Sequence, residues 1–151
     1  MTSKPLGIDD ISGFEFVKEI LHGDPTYAIN FDRIQWDNKY NQYVIVEFLL
    51  CDEAQSVSPF TSHPNRYFLK NKHKFISLWE ISQQLNARLY LVNYAKNGTK
   101  YEDEVLFMFV KNVDENNASN FVETEDYRMS RELFSKKFRA MNRRGVKKIS
   151  L

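Results

Sequence analysis

The chain has 151 residues, 42% of them apolar and 15% aromatic, with a formal net charge of +1. That length supports one sizeable core, and so many aromatics at so low a net charge exclude a disordered chain. No run approaches the roughly 20 apolar residues of a membrane span, no apolar segment follows Met1 to Pro5 as a signal peptide requires, and the lone Cys51 excludes an internal disulfide, so the expected setting is cytoplasmic with no membrane partner.

The first expected element is a helix from about Gly13 to His22. Ser12-Gly13-Phe14-Glu15 reads as a capping box, Ile11 and Phe16 suit a hydrophobic staple, and Phe16, Val17, Ile20 and Leu21 form one apolar stripe. Gly23-Asp24-Pro25 ends it. Tyr27 to Trp36 alternates as a strand, with a change of phase near Asp32-Arg33 that a bulge would explain. Asp37 to Gln42 is turn chemistry, and Tyr43 to Cys51 is so apolar that both faces of that strand should be buried. The two strands are expected to pair as a hairpin.

Asp52 to Asn65, with Pro59 and Pro64, is a long polar connection and a candidate for mobility or function. Lys72 to Asn86 carries Phe75, Leu78, Trp79, Ser82 and Leu85 at helical spacing. Arg88 to Ala95 and Glu104 to Lys111 read as strands joined by the turn Lys96 to Lys100, a second hairpin. Asp114 to Asn120 is polar loop. A last helix runs from about Arg131 to Asn142, with Ser130 as N-cap, an apolar side of Leu133, Phe134, Phe138 and Met141, and Gly145 placed for a left-handed C-cap.

Charge is unevenly spread. From Arg128 onward stand nine of the 21 Lys/Arg (Arg128, Arg131, Lys136, Lys137, Arg139, Arg143, Arg144, Lys147 and Lys148) but only one of the 20 acids, Glu132. An acidic body with a basic end can bind a polyanion through that end. It can also dock the basic segment on its own body or on a second subunit.

The residue that most invites a chemical reading is Glu47, which has three apolar residues on each side in Tyr-Val-Ile-Val-Glu-Phe-Leu-Leu. A charge there is costly to bury unless it is paired or binds a metal. Asp32 poses the same question in Ala-Ile-Asn-Phe-Asp-Arg-Ile-Gln. On neighbouring strands the two carboxylates could project from one end of the sheet, where close like charges raise a proton affinity or recruit a divalent cation. Oxygen ligands suit Mg2+ or Mn2+. The structural alternative pairs Glu47 with Arg33 or a nearby lysine. His22, His63 and His73 have no zinc-like spacing, no phosphate-loop motif occurs among the five glycines, and Tyr67, Tyr90 and Tyr94 could stack bases.

The order helix, strand with Asp32, strand with Glu47, loop, helix, strand resembles the core of the PD-(D/E)XK nuclease superfamily, the restriction-endonuclease-like fold, from about Ser12 to Ala95. The resemblance implies one α/β domain: a central mixed sheet flanked by helices, a core over about 12–95, and a C-terminal extension over about 96–151 ending in a basic helix. It implies Asp32 and Glu47 as ligands of Mg2+ or Mn2+, with a further acid from Glu15 or Glu19 and a helical glutamine at Gln83 or Gln84. The superfamily's lysine, two residues after the glutamate, orients the attacking water; here Leu49 stands in that place. Some members take the lysine from the next helix, which points to Lys74, with Lys70 and Lys72 beside it. The implied function is metal-dependent hydrolysis of DNA phosphodiesters, with Lys136, Lys137, Arg139, Arg143, Arg144, Lys147 and Lys148 on the phosphates. The replacement of the lysine by Leu49 leaves a second reading open, an inactive module of the same fold that binds nucleic acid or a protein partner. A third is a homodimer in which the basic helix docks on another subunit's acidic body.

Overall fold

The computed structural model describes residues 8–29 and 31–146. It is an α/β structure built on one five-stranded mixed sheet in the order β1-β2-β3-β4-β5: β1 (Arg33–Asp37), β2 (Gln42–Leu50), β3 (Arg88–Tyr94), β4 (Glu104–Val113) and β5 (Val122–Ser130). Three helices accompany it, α1 (Ile8–Ile20), α2 (Lys72–Gln84) and α3 (Arg131–Arg143). β1 and β2 form the expected antiparallel hairpin, β2 and β3 are parallel, and β3, β4 and β5 are antiparallel in turn.

Period-two alternation in the apolar strands divides the core into two layers. Ile45, Leu49, Leu89, Leu91, Leu106, Met108 and Val110 face Phe75 and Leu78 of α2. Val44, Val46, Tyr90, Val92 and Val105 face Phe134, Phe138 and Met141 of α3. Both faces of β2 are therefore covered, as its composition required. The crossover from β2 to the parallel β3 runs through α2, the usual solution for joining parallel neighbours.

α2 ends in a Schellman motif. Asn86 adopts φ 51°, Ala87 N donates to Ser82 O at 2.7 Å, and Asn86 N donates to Gln83 O at 3.1 Å. α3 starts as expected, with the Ser130 hydroxyl accepting from Leu133 N at 3.1 Å. Its end differs. The positive-φ glycines are Gly23 and Gly98, whereas Gly145 follows a right-handed Arg144 cap. Gly145 serves close approach instead: a Cβ there would lie 3.1 Å from Asn142 O and 3.3 Å from Gln35 Nε2.

Three further expectations are corrected. α1 begins at Ile8, so Ser12 and Glu15 lie inside the helix rather than at its cap, and Ile11, Phe14, Phe16, Val17 and Ile20 are each more than half exposed. The strand expected from Tyr27 begins only at Arg33, and Tyr27 is 93% exposed; alternation alone supplies no partner for the backbone before Arg33. Val122–Ser130, read as no element, is an edge strand paired along its length with β4.

Candidate functional site

Glu47 sits in the middle of β2 on the α2 side, 6% exposed, opposite Leu91 of β3. The first turn of α2 brings Lys74 over it, with Nζ 3.0 Å from Glu47 Oε1. The pairing partner is thus a helix lysine. Arg33, the other candidate, instead donates to Gln35 Oε1 at 2.8 Å and lies over the Phe138 ring. The second carboxylate oxygen, Oε2, is buried and makes no hydrogen bond of good geometry, although the Asp32 backbone N–H lies close enough to the carboxylate to favour its ionised form. Burial pushes the Glu47 carboxyl above its ordinary range; the Lys74 ammonium pulls it back, the Asp32 charge pushes it further up, and the Asp32 backbone amide opposes that slightly.

Asp32 is exposed and immediately precedes β1. The antiparallel register pairs Arg33 with Val46, so one further step sets Asp32 opposite Glu47. β1 is short and leaves the end of β2 without a ladder neighbour on that side. Asp32 Oδ2 accepts from Phe48 N at 2.8 Å and so takes over one of those open backbone donors. The carboxylate also borders a cleft of about 720 Å³ beneath α3, lined with Phe48, Tyr94, Arg131, Ser135 and Arg139. Asp32 and Glu47 therefore meet at one sheet edge, Asp32 reaching the α3 side and Glu47 the α2 side.

Leu49 is 9% exposed and packed in the α2-side core, so the place two residues after the glutamate holds no amine. Lys70 and Lys72 are exposed, and among the three lysines only Lys74 reaches Glu47. Glu15 and Glu19 lie exposed on α1, and Gln83 and Gln84 are exposed at the far end of α2 from Lys74. Among the described residues no group of three or more His, Cys, Asp or Glu side chains converges as a metal cage. Two carboxylates suffice for Mg2+, which retains several waters. Oε2 of Glu47 is itself buried on the α2 side, whereas Asp32 borders the cleft beneath α3, so the two carboxylates open on different sides of the sheet edge.

The basic helix is split by the structure. Lys136, Lys137, Arg139 and Arg143 are exposed on α3, and Lys137 and Arg139 border clefts beside Phe134 and Phe138. Arg144 is not a free phosphate contact, which corrects the sequence expectation. Its Nε and Nη2 donate to Asp37 Oδ1 and Oδ2 at 2.9 and 3.1 Å, a bidentate pair with a carboxylate that is 0% exposed. Burial raises the Asp37 carboxyl, but the Arg144 hydrogen bonds and the Lys39 amide outweigh it and hold the group below its ordinary value. Arg131 is also committed, donating to Ala95 O and Glu102 O at 3.1 and 2.8 Å. Lys147 and Lys148 lie outside the described residues.

Sequence reasoning missed a polar pocket at the ends of β2 and β3, bounded by Cys51, Arg66, Tyr67, Asn71, Lys74 and Asn93. Asn93 is 1% exposed. A buried asparagine in Tyr-Leu-Val-Asn-Tyr-Ala was the available signal, since an amide within an apolar strand must find partners. No helix among the described residues is long and apolar enough to cross a membrane. Compared with protein-family models, curated proteins and solved structures, the chain matches none.

Proposed function

We propose that this chain is a metal-dependent nuclease-like domain that hydrolyses DNA phosphodiesters, built on a restriction-endonuclease-like core. The observation that carries the reading is the Lys74–Glu47 pair, an ammonium 3.0 Å from one oxygen of a buried carboxylate whose other oxygen makes no hydrogen bond, with the exposed Asp32 one register step beyond β1 at the same sheet edge. Structural ion pairs seldom leave a buried carboxylate oxygen unsatisfied, because that oxygen keeps its full desolvation cost.

In this reading Asp32 and Glu47 would hold Mg2+ or Mn2+. A bound ion of this kind supplies Lewis acidity toward a phosphodiester oxygen. Lys74 stands in for the amine that Leu49 cannot provide: its ammonium keeps the Glu47 carboxylate ionised and donates toward an attacking water. Lys136, Lys137, Arg139 and Arg143 contact flanking phosphates from α3, and Arg139 lines the cleft that Asp32 borders.

The test is Mg2+- or Mn2+-dependent cleavage of single- and double-stranded DNA by the wild type, Asp32→Ala and Glu47→Ala. Cleavage by the wild type that both substitutions abolish supports the proposal, and cleavage that survives both overturns it. A second reading, a binding module without hydrolysis, draws on the completed Lys74–Glu47 ion pair, which neutralises the glutamate without any metal. Under that reading DNA binding depends on the α3 cations and is indifferent to Mg2+.

A further inference from the structure

We infer that the pocket at the ends of β2 and β3 is a mononucleotide subsite, which receives one unstacked nucleotide of the nucleic acid with its phosphate at the start of α2 and its base against Asn93. This deepens the nuclease reading and rests on it for the identity of the ligand. The pocket has a volume of about 360 Å³ and opens outside the carboxyl ends of two adjacent parallel strands, where open α/β sheets place ligands.

Two features of its wall define the chemistry. The first is affinity for an anion. Arg66 and Lys74 both line the pocket and no carboxylate does. Arg66 is exposed and has no ion pair among the described residues. α2, 13 residues long, begins at the same wall without a side-chain cap, because Asn71 turns its amide to donate to Tyr67 O at 3.2 Å. An uncapped helix start presents backbone donors and the positive end of the dipole to an anion.

The second feature is an acceptor in search of a donor. The Asn93 amide is fixed by two bonds from Nδ2, to Pro59 O at 3.1 Å and Ser62 O at 2.7 Å. Asn93 lines the pocket, and its Oδ1 is buried with no partner. Inorganic phosphate meets the first feature and can offer a hydroxyl to the second, but it fills only part of a pocket of about 360 Å³. A nucleotide meets both, since every base carries an N–H on its Watson–Crick edge, and the acceptor alone does not choose among bases. Lys74 belongs both to this wall and to the pair with Glu47, so a nucleotide held here lies next to that pair.

The experiment is an amide-resolved NMR titration of the full chain, in EDTA so that metal plays no part, with the four deoxynucleoside 5′-monophosphates, the matching nucleosides and inorganic phosphate. The expected result is monophosphate binding that shifts the amides of Tyr67, Asn71, Lys74 and Asn93. Nucleosides and inorganic phosphate should bind about tenfold or more weakly, and Arg66→Gln should weaken monophosphate binding by about tenfold or more, as loss of a charge-assisted bond to phosphate implies. Asn93→Ala should erase the preference for nucleotide over phosphate; because it also releases the Pro59 loop, it is interpreted only if its spectrum remains folded, and Arg66→Gln carries the test otherwise. Shifts confined to α3, equal affinity for inorganic phosphate, or indifference to Arg66→Gln would overturn the subsite. Monophosphate binding without any Mg2+-dependent cleavage sustains the pocket and removes the nuclease reading; cleavage without such binding does the reverse.

Discussion

Replacing Glu47 with Gln is expected to stabilise the fold at neutral pH while removing metal-dependent cleavage. Glu47 keeps a charge in a site that is 6% exposed, with one oxygen unpartnered. A buried unsatisfied acceptor costs about 1–3 kcal/mol, more when charged. The opposing bond comes from a lysine whose side chain is 43% exposed, and a pair so open to water returns at most about 1 kcal/mol. The balance favours the neutral amide by about 1 kcal/mol, which raises Tm by about 2–4 °C in a chain of this size. The pH dependence has a definite sign. Burial raises the folded-state Glu47 above its ordinary value of 4.5, so the wild type carries no penalty below that value and acquires one as pH rises through the folded value. Urea unfolding of both proteins across this range checks it: the Gln variant should be more stable at neutral pH and equal to the wild type in acid. A variant less stable than the wild type at neutral pH, or a gain that does not change with pH, would refute the reasoning.

Arg144→Gln strips the partner from Asp37, which is 0% exposed. Breaking a buried pair costs about 3–5 kcal/mol, and with the Arg144 side chain 29% exposed the lower end, about 3 kcal/mol, applies. Asp37 lies below its ordinary value of 3.8, so this stability is present above that pH and lost as pH falls through the folded value; denaturation curves should show the wild type and the variant converging in acid. Replacing Lys136, Lys137, Arg139 and Arg143 together with Gln should flatten the salt dependence of DNA affinity by about 0.9 logarithmic units per lost phosphate contact, read by fluorescence anisotropy, whereas Arg144→Gln should leave that slope unchanged. His63 is held neutral between Thr124 and the Asn65 amide, with ring contacts of 2.7 and 3.1 Å, and burial lowers its pKa below 6.5. Its contribution is full above pH 6.5 and lost as pH falls through the folded value, so His63→Gln should reduce the acid-side slope of stability in thermal melts below pH 6.5.

The stretch from β2 through α2 to β3 was legible in the sequence because its signals are redundant. Two apolar strands that bury most of their residues flank a helix whose stripe buries Phe75, Leu78 and Ser82, and their order suits a parallel crossover. The same reasoning found Glu47, since a lone acid in such a strand stands out, and reached Lys74 through the Leu49 substitution. β5 was illegible because it is an edge strand: in Val-Glu-Thr-Glu-Asp-Tyr-Arg-Met-Ser only Val122 and Met129 are buried, and charged residues of this kind protect an edge from further pairing. Tyr27 to Phe31 misled in the opposite way, alternating as a half-buried strand does while Tyr27 and Ile29 stay exposed. Arg144 could not be told from its basic neighbours, because only the tertiary fold brings Asp37 to it across 107 positions of chain.

The most direct measurement is a calorimetric titration of Mn2+ into the wild type and into Glu47→Gln and Asp32→Asn. One Mn2+ per chain is expected for the wild type and loss of that site in either variant, each of which remains folded. Wild-type protein that takes up no Mn2+, or uptake that persists unchanged when both carboxylates are amides, would contradict the claim that these two acids share an ion.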